Sequence, residues 1–291
     1  MKNLLFIPIV LIFVFNSCVS QEDSGTQDLI KRKIELDGQT NFRDLGNYST
    51  EHGNKIKEGV LFRSGTLSKL SEQDKNIIKE LGINTVVNFL TEEEIAARGA
   101  DNLPEGVRSV YLPISGDNDE ASAVLKARQT GDFTEVPIEL NFNIHKMLPD
   151  VGRESYLGLL KVLADSSSYP VVFHCSHGVH RTGTAAALVL SLLDIPWAQI
   201  ESDYLLSNDC RQQENQSRIH QLDSLARINS ANLDFDKNKE NIEAFYLLKR
   251  DYILGTKEYI ETTYGSFDKY FEDLGLSKND VLNIRQNLIE K

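Results

Sequence analysis

The sequence predicts an α/β protein in which a central parallel or mixed sheet is flanked by helices and followed by a helical C-terminal region. Three observations support this prediction. Helical and strand-like patterns alternate between residues 68 and 193, and this stretch contains apolar runs typical of buried strands. The residues after 240 follow a helical pattern. The chain has 291 residues, 41% of them hydrophobic, which is enough to bury a large core.

The first half of the sheet follows from the segments between residues 68 and 114. Ser71 precedes Asp74 by three residues, as in a capping box, so a helix begins there, and Gly82 ends it. The run INTVVNFL is almost continuously apolar, as expected for a central strand covered on both faces. TEEEIAARG then predicts a short helix with an acidic first turn, and VRSVYLPI another strand.

The second half is mainly helical. Residues 137–166 predict one or two helices, interrupted near Pro149 and Gly152. PVVFH predicts a strand, TGTAAALVLSLL a core helix, and PWAQIESDYLLSN a helix with proline in its first turn. Residues 211–240 are polar and carry charges of both signs, so we expect a variable helical excursion or surface loop there. In the C-terminal region we expect five aromatic side chains to be core or helix-packing residues: Phe245, Tyr246, Tyr252, Tyr259 and Tyr264.

One stretch, PVVFHCSHGVHRTG, points to chemistry. Five residues separate Cys175 from Arg181, which is enough for a loop that folds around one tetrahedral anion with its backbone N–H groups turned inward. The helix that follows adds the partial positive charge of its N-terminus. We expect the phosphate-binding loop to consist of Ser176, His177, Gly178, Val179, His180 and Arg181.

The same groups predict a nucleophile. Inward N–H groups, the helix N-terminus and Arg181 all favour the thiolate form of Cys175. Arg181 offers a planar fork to two phosphate oxygens, which lysine cannot reproduce. Thr182 could donate its hydroxyl to the sulfur and stabilise the thiolate when a phosphocysteine is hydrolysed. Gly178 would allow a loop conformation that residues with a Cβ disfavour.

These residues resemble the signature of the cysteine-dependent protein tyrosine phosphatases, HCxxGxxR followed by Thr or Ser and Gly. Four further segments resemble a bacterial branch of that family and occur in the same order: QTNFRDLGNY, GVLFRSGTL, DYLLSN and YGSFDKYFEDLGL. The resemblance runs from about residue 36 to the end. It implies a tyrosine-phosphatase-like fold and hydrolysis through a phosphocysteine, a reaction that requires no metal or other cofactor.

The resemblance also assigns supporting residues. Taken alone, NFRDLG and LFRSG would be loops that hold a turn or a structural salt bridge. In the bacterial branch both segments pack beside the active site, so Arg43, Asp44 and Arg63 are expected to support it. We expect His174 to be buried behind the loop, where hydrogen bonding can hold the geometry of the thiol.

The general acid is where the sequence departs from the family. The branch usually has Lys and Asp before the loop arginine, and that Asp is implicated as the acid, whereas this chain has Val179 and His180. Three replacements stay open. Asp117 or Asp119 follows VRSVYLPI on a candidate acid loop, His180 could act as an imidazolium, and Glu92 follows the strand INTVVNFL.

The resemblance implies a phosphomonoesterase acting on phosphotyrosine-type substrates, protein or small molecule, with dual specificity left open. One alternative is an inositol-phosphate or phosphoinositide phosphatase that uses the same loop. The absence of the family's lysine before the loop arginine removes a positive charge and disfavours binding of such a polyanionic substrate. Another is a phosphate-binding protein with impaired turnover, since the usual acid is absent. A sulfurtransferase or arsenate reductase also uses a cysteine and an arginine, but the Arg-Thr-Gly ending disfavours it.

The N-terminus predicts export. MKNLLFIPIVLIFVFNSC has a basic start, an apolar run and a cysteine, like a loose bacterial lipoprotein signal that leaves Cys18 lipidated. A plain signal peptide or an uncleaved anchor is the alternative. We expect residues 1–18 to be the signal and lipidation site, 19–35 a flexible tether and 36–291 the catalytic domain, anchored facing the periplasm or at the cell surface.

Charge and cysteine content narrow the partners. The formal net charge of −12 disfavours nucleic acid or an anionic membrane surface as the main partner, so contact with the membrane is expected through the lipid anchor alone. With Cys18 lipidated and Cys175 catalytic, Cys210 has no assigned partner among the three cysteines. No disulfide framework is therefore expected.

Overall fold

A computed structural model of the chain describes residues 32–115, 122–230 and 232–290. These residues contain a five-stranded sheet with the order β1-β2-β5-β3-β4. The strands are β1 Arg43–Asp44, β2 Leu61–Ser64, β3 Thr85–Asn88, β4 Arg108–Tyr111 and β5 Val171–His174. Strand β1 is antiparallel to β2, and the other pairs are parallel. The predicted mixed sheet is confirmed.

The helices of the described residues surround this sheet and form the C-terminal region. They are α1 Glu72–Glu80, α2 Glu92–Arg98, α3 Ser122–Thr130, α4 Leu140–Val151, α5 Arg153–Ala164, α6 His180–Leu192, α7 Trp197–Cys210, α8 Gln212–Asn229, α9 Phe235–Tyr246, α10 Arg250–Tyr264, α11 Phe267–Leu274 and α12 Lys278–Leu288. Across the described ranges, no helix has the length and apolar character needed to span a bilayer.

Local signals placed several of these elements correctly. Ser71 and Asp74 form the predicted capping box of α1. Gly152 separates α4 from α5, as the interruption near that residue indicated. Residues 211–240 are largely helical, since they contain α8 and the start of α9. The loop interpretation of NFRDLG and LFRSG was wrong, because β1 and β2 lie within them. β1 has only two residues, both charged, and Arg63 interrupts the apolar residues of β2, so neither shows the pattern of a buried strand in the sequence.

The core lies on both faces of the sheet. Along β5, Val171 and Phe173 face the large apolar cluster that includes α5 and α6, whereas Val172 faces a second cluster under α1. This arrangement explains the continuous apolar runs of the central strands, since every residue of β3 and β5 is buried. A third cluster joins α3, α8 and α9 through Val124, Phe133 and Leu222, among others.

The sheet positions one loop. Strand β5 ends at His174, and α6 begins at His180, so Cys175 and the residues after it lie at the carboxyl end of a central parallel strand. The neighbouring strands β2 and β3 end at the same edge. In open sheets of this kind, ligands bind at that edge.

Candidate active site

The loop between β5 and α6 has its carbonyl groups fixed from outside. The backbone N–H of Phe89 donates to the His174 carbonyl at 2.9 Å, and that of Thr66 donates to the Ser176 carbonyl at 3.1 Å. Cys175 lies between these two points and is 2% exposed. Residues just after the ends of β3 and β2 thus hold the start of the loop in place.

The middle of the loop is held by side chains from the segments NFRDLG and LFRSG. Asn41 Nδ2 donates to the carbonyls of His177 at 3.0 Å and Gly178 at 3.2 Å. Arg63 Nη2 donates to the Gly178 carbonyl at 2.8 Å. Because a peptide N–H points opposite to its carbonyl, these bonds turn the loop N–H groups toward its interior. The loop therefore has the arrangement that an anion cradle needs, and its binding of phosphate stays a prediction.

Gly178 is required by this arrangement for two reasons. Its φ is +70°, a conformation that side chains with a Cβ disfavour. A Cβ at this position would also lie 2.5 Å from the carbonyl oxygen of Ser64 on β2. The expectation for this glycine is confirmed.

A buried ion network stands behind the loop. Asp203 Oδ1 accepts a bond from Arg43 Nε at 3.0 Å, and Asp203 Oδ2 accepts another from Arg63 Nη1. Arg43 Nη1 also donates to Asn41 Oδ1 at 2.6 Å. Burial acts to raise the pKa of Asp203, but the charges of the two arginines outweigh it and lower that pKa to about 2. Arg43 and Arg63 thus support the loop, as expected, through an aspartate of DYLLSN that had no assigned role.

Asp44 has a different place. Its carboxylate accepts the backbone N–H groups of Gly46 and Gly59, each at 2.7 Å. These bonds fix the connection between β1 and β2. Asp44 therefore shapes the chain that carries Arg43 and does not bond to the loop within the described residues.

His174 is fully buried behind the loop, where it was expected. Its Nδ1 lies 3.2 Å from the Cys175 carbonyl oxygen, and its Nε2 lies 2.9 Å from Asp101 Oδ2. Burial acts to raise the pKa of Asp101, and the hydrogen bond and charge of His174 outweigh it, so the pKa is lowered. Asp101 orients the ring that in turn contacts the backbone of the nucleophile.

Arg181 is held by a carboxylate that the sequence did not single out. Glu94 Oε2 and Oε1 accept from Arg181 Nη1 at 2.6 Å and Nη2 at 2.7 Å. Arg181 Nη1 also donates to the carbonyls of Phe89 and Ile114. Burial acts to raise the pKa of Glu94, but its bonds with Arg181 dominate and lower it. The bidentate pair fixes the plane of the guanidinium before substrate arrives.

Local sequence placed Glu94 without revealing this role. Thr91 and Glu94 form the capping box of α2, in which the Thr91 hydroxyl accepts from the Glu94 N–H. The same carboxylate thus caps a helix and holds an arginine 87 residues away. The Thr-x-x-Glu spacing was the available signal, but it indicates only a helix start.

Thr182 differs from expectation. It is fully buried, and within the described ranges its Oγ1 has no hydrogen-bond partner. The expected bond from this hydroxyl to the Cys175 sulfur is therefore not formed in this structure. The hydroxyl lies at the first turn of α6, beside Arg181.

His180 is a poor imidazolium in this site. Burial, followed by the charges of Arg181, Arg211 and Arg128, lowers its pKa to about 3. Its ring packs against the buried ring of His145 at 5.5 Å between centroids. At neutral pH this ring is uncharged in the ligand-free structure, so His180 could act as an imidazolium acid only if a bound phosphate dianion raised this pKa.

The other acid candidates are separated by position. Glu92 is exposed and does not line the cleft described below. Asp117 and Asp119 lie outside the described residues, so their role stays a prediction.

Cys18, the predicted lipidation site, also lies outside the described residues. Cys210 is buried at the end of α7, where burial raises the pKa of its thiol.

The loop opens into a cleft of about 520 Å³. His177 lines it, and burial and then the charge of Arg211 lower the pKa of that histidine well below its ordinary value. Phe245 and Tyr246, which pack against the third apolar cluster as expected, also form part of the cleft wall. The cleft is lined by Thr91, Glu93, Glu94, Ala97, Arg98, Ser115, Arg128, Ile144, Ser176, His177, Val179, His180, Arg181, Arg211, Phe245, Tyr246 and Leu248.

A buried cysteine at the end of a parallel strand, followed by an anion cradle closed by an arginine at a helix N-terminus, defines a cysteine-dependent phosphatase. The comparisons agree. Residues 34–290 match the profile of the tyrosine phosphatase family, so the chain belongs to that family and is a phosphoric monoester hydrolase. The resemblance read from the motifs is confirmed.

Relatives cover much of the chain. It is 27% identical over 277 residues to the triple specificity protein phosphatase PtpB of Mycobacterium tuberculosis, covering 88% of this chain and 98% of PtpB. It is 26% identical over 152 residues to a tyrosine-protein phosphatase of Nostoc commune, covering 52% of this chain and 49% of that protein.

Solved structures also align with the chain. TpbA of P. aeruginosa in complex with pTyr aligns over 65% of this chain and 89% of its own, with 18% identity and a TM-score of 0.27. The core catalytic domain of the PP-IP phosphatase SIW14 from S. cerevisiae aligns over 61% and 92%, with 16% identity and a TM-score of 0.28.

Proposed function

We propose that this protein hydrolyses phosphotyrosine-type phosphomonoesters through a phosphocysteine. The observation that carries the proposal is the loop itself, in which other segments hold the carbonyls of Ser176, His177 and Gly178 while Glu94 orients the Arg181 guanidinium. In the first step Cys175 Sγ attacks phosphorus, the ester P–O bond breaks, and an acid gives its proton to the leaving oxygen. Water then attacks phosphorus, returns a proton to that acid, and releases phosphate and the thiolate.

Charge stabilisation supplies most of the catalysis in this proposal. The loop N–H groups and Arg181 hold the equatorial oxygens of the transferring phosphoryl group, and they are in place before the reaction begins. Phe245 and Tyr246 offer an aromatic wall beside the cradle that suits an aryl leaving group. The relative from Nostoc commune, which is named as a tyrosine-protein phosphatase, supports the same substrate class.

Replacement of the nucleophile tests the mechanism. Cys175→Ser should lower the turnover of p-nitrophenyl phosphate by about 10³-fold or more, because a serine hydroxyl is far less ionised than a cysteine thiol. Cys210→Ala is the matched control and should retain turnover. Rapid acid quench with labelled substrate should trap a phosphoenzyme in wild type alone. Intact turnover in Cys175→Ser, or its loss on adding EDTA, would refute this mechanism.

We further propose that Asp117 protonates the leaving group. Support comes from Ser115, which lines the cleft two residues earlier in the chain, and from the low pKa of His180. Asp117→Asn should lower kcat by about 10²-fold, with the larger loss for alkyl phosphates whose leaving groups need a proton. Asp119→Asn is the control. Equal losses in both variants, or none in Asp117→Asn, would contradict the assignment.

We also propose that the protein is exported and anchored by a lipid on Cys18, facing the periplasm or the cell surface. The support is the sequence of residues 2–18, with its basic start and apolar run before the cysteine. In a bacterial host, wild type should incorporate labelled palmitate and fractionate with membranes, whereas Cys18→Ala should do neither. Unlabelled wild-type protein would contradict the lipid anchor.

A further inference from the structure

A second cavity of about 390 Å³ adjoins the active-site cleft. The first half of α8 forms one wall of it, since residues three, four and seven apart share a helix face. Five residues line both cavities and so form the boundary between them: Arg98, Arg128, His177, Arg211 and Tyr246. Whatever occupies the second cavity therefore lies next to the phosphate loop.

This second cavity is positively charged. Its wall carries the arginines Arg98, Arg128, Arg211 and Arg218 and the single carboxylate Glu214, which pairs with Arg211 at 3.0 Å. The whole chain carries a formal net charge of −12, so this local excess of positive charge runs against the overall balance. Arg211, Arg98 and Arg128 also help to lower the pKa of His177, after burial, which places their field at the loop. A cavity of this kind attracts an anion.

Asn215 provides an independent observation. It lines the second cavity and is 1% exposed, and neither its Nδ2 nor its Oδ1 has a hydrogen-bond partner among the described residues. A buried amide without partners is unfavourable, and such groups are rare in folded proteins. A ligand oxygen that accepts from Asn215 Nδ2 would remove that penalty.

We propose that this cavity binds a second phosphoryl group of the substrate whose first phosphoryl group lies in the loop. The proposal rests on the function proposed above. Arg218 and Arg211 would bind the oxygens of the second group, and Asn215 would donate to one of them. Because His177 belongs to both walls, the two groups are separated by about one side chain. That spacing fits a small polyol bisphosphate, and among polyol phosphates we expect the enzyme to prefer the bisphosphate over the matching monophosphates.

The ratio of kcat/KM for a bisphosphate to kcat/KM for its monophosphate tests the preference. Fructose 1,6-bisphosphate has two matched partners, fructose 6-phosphate and fructose 1-phosphate, which offer the same kind of alkyl leaving group. Wild type should show a kcat/KM for the bisphosphate about 10-fold or more above either monophosphate. Arg218→Ala and Asn215→Leu should bring that ratio to within about threefold of one. Arg227→Ala should keep it, because Arg227 is an exposed arginine of the same helix that pairs with Asp223.

Asn215→Leu also tests whether Asn215 serves only the stability of the fold. It removes the amide but keeps the volume, and because that amide is unpartnered, the variant should unfold at the wild-type temperature or higher. A marked loss of thermal stability would assign Asn215 to the fold and overturn the proposal.

Three kinetic results would also overturn it. These are a ratio near one in wild type, a ratio that survives Arg218→Ala and Asn215→Leu, and an equal loss in Arg227→Ala, which would show a general effect of charge. A preference seen only between peptides with two phosphotyrosines and peptides with one would reject the small-molecule assignment. If the ratio is near one while Cys175→Ser still abolishes monophosphate turnover, the second site fails and the proposed function stands.

Discussion

At the scale of single residues, the site depends on pairs that keep a charged group in one orientation. Glu94 is the clearest case, because its two oxygens bind the two terminal nitrogens of Arg181. Glu94→Gln should lower kcat/KM for p-nitrophenyl phosphate by about 10- to 100-fold, since an amide cannot accept both bonds and the fork loses its orientation.

The neighbour Glu92 provides the comparison for Glu94. It is exposed on the same helix and does not line the cleft, so Glu92→Gln should stay close to wild type in the same assay. An equal loss in the two variants would mean that the charge of α2, and not the bidentate pair, supports catalysis. A loss of kcat/KM in Glu92→Gln alone would make Glu92 a candidate general acid again.

The low pKa of His180 leads to a prediction about pH. With a pKa of about 3, only about one His180 ring in a thousand is protonated at pH 6 in the free enzyme. An imidazolium acid would make kcat/KM fall as pH rises through its pKa, so no such limb is expected between about pH 5 and 8. His180→Asn should therefore keep the shape of the wild-type profile over that range. A limb that is present in wild type and missing in the variant would show that His180 is the acid.

At the scale of elements, the strand–loop–helix unit from β5 to α6 demands a glycine at one position. Gly178→Ala should destabilise the fold and lower kcat/KM by about 100-fold, because the loop must move away from β2. Gly53→Ala is a matched control: its φ is also positive, +84°, but no atom lies within 4 Å of the added Cβ. It should cost about 1 kcal/mol of unfolding free energy and no activity. If the two variants lost the same unfolding free energy in a denaturant titration, the positive φ alone, and not the contact with β2, would explain the need for glycine at position 178.

The elements also show where sequence reasoning succeeds. Strands β3 and β5 and helices α1 and α2 could be predicted because each carries its own signal, an apolar run or a cap, within a few residues. The loop between β5 and α6 could be predicted because its chemistry needs a fixed local spacing. Strands β1 and β2 could not, since their sequences, RD and LFRS, contain charged residues and form no apolar run, and the two strands are defined by pairing with each other and with β5.

The supporting residues were hidden for a related reason. Asn41 binds carbonyls 136 and 137 residues away, and Glu94 binds an arginine 87 residues away. A short motif shows that such a residue is polar but not which partner it meets. The resemblance to a family predicted that Arg43 and Arg63 support the site. Their common partner Asp203 could be identified only from the fold, which places α7 beside the sheet.

At the scale of the whole molecule, Asp203 joins parts of the chain that are far apart in sequence. It connects Arg43 on β1 and Arg63 on β2 to α7, and Arg63 reaches the phosphate loop. All three charged side chains are almost fully buried. Removing one partner of a buried pair leaves an uncompensated charge, so Asp203→Asn should lower the free energy of unfolding by about 3–5 kcal/mol. It should also lower activity, because the loop carbonyl of Gly178 loses its fixed donor.

The pH dependence of unfolding separates this network from a surface pair. The pKa of Asp203 is about 2 in the folded protein and near 3.8 in its ordinary range, so its contribution is complete above about pH 4 and is lost as pH falls toward 2. The difference in unfolding free energy between wild type and Asp203→Asn should thus narrow by about 2 kcal/mol between pH 5 and 2 in denaturant titrations. Asp223→Asn, which breaks an exposed pair with Arg227, should cost at most about 1 kcal/mol and show little such narrowing. A constant difference for Asp203→Asn across that range would mean that hydrogen bonding and packing, and not its charge, join β1, β2 and α7.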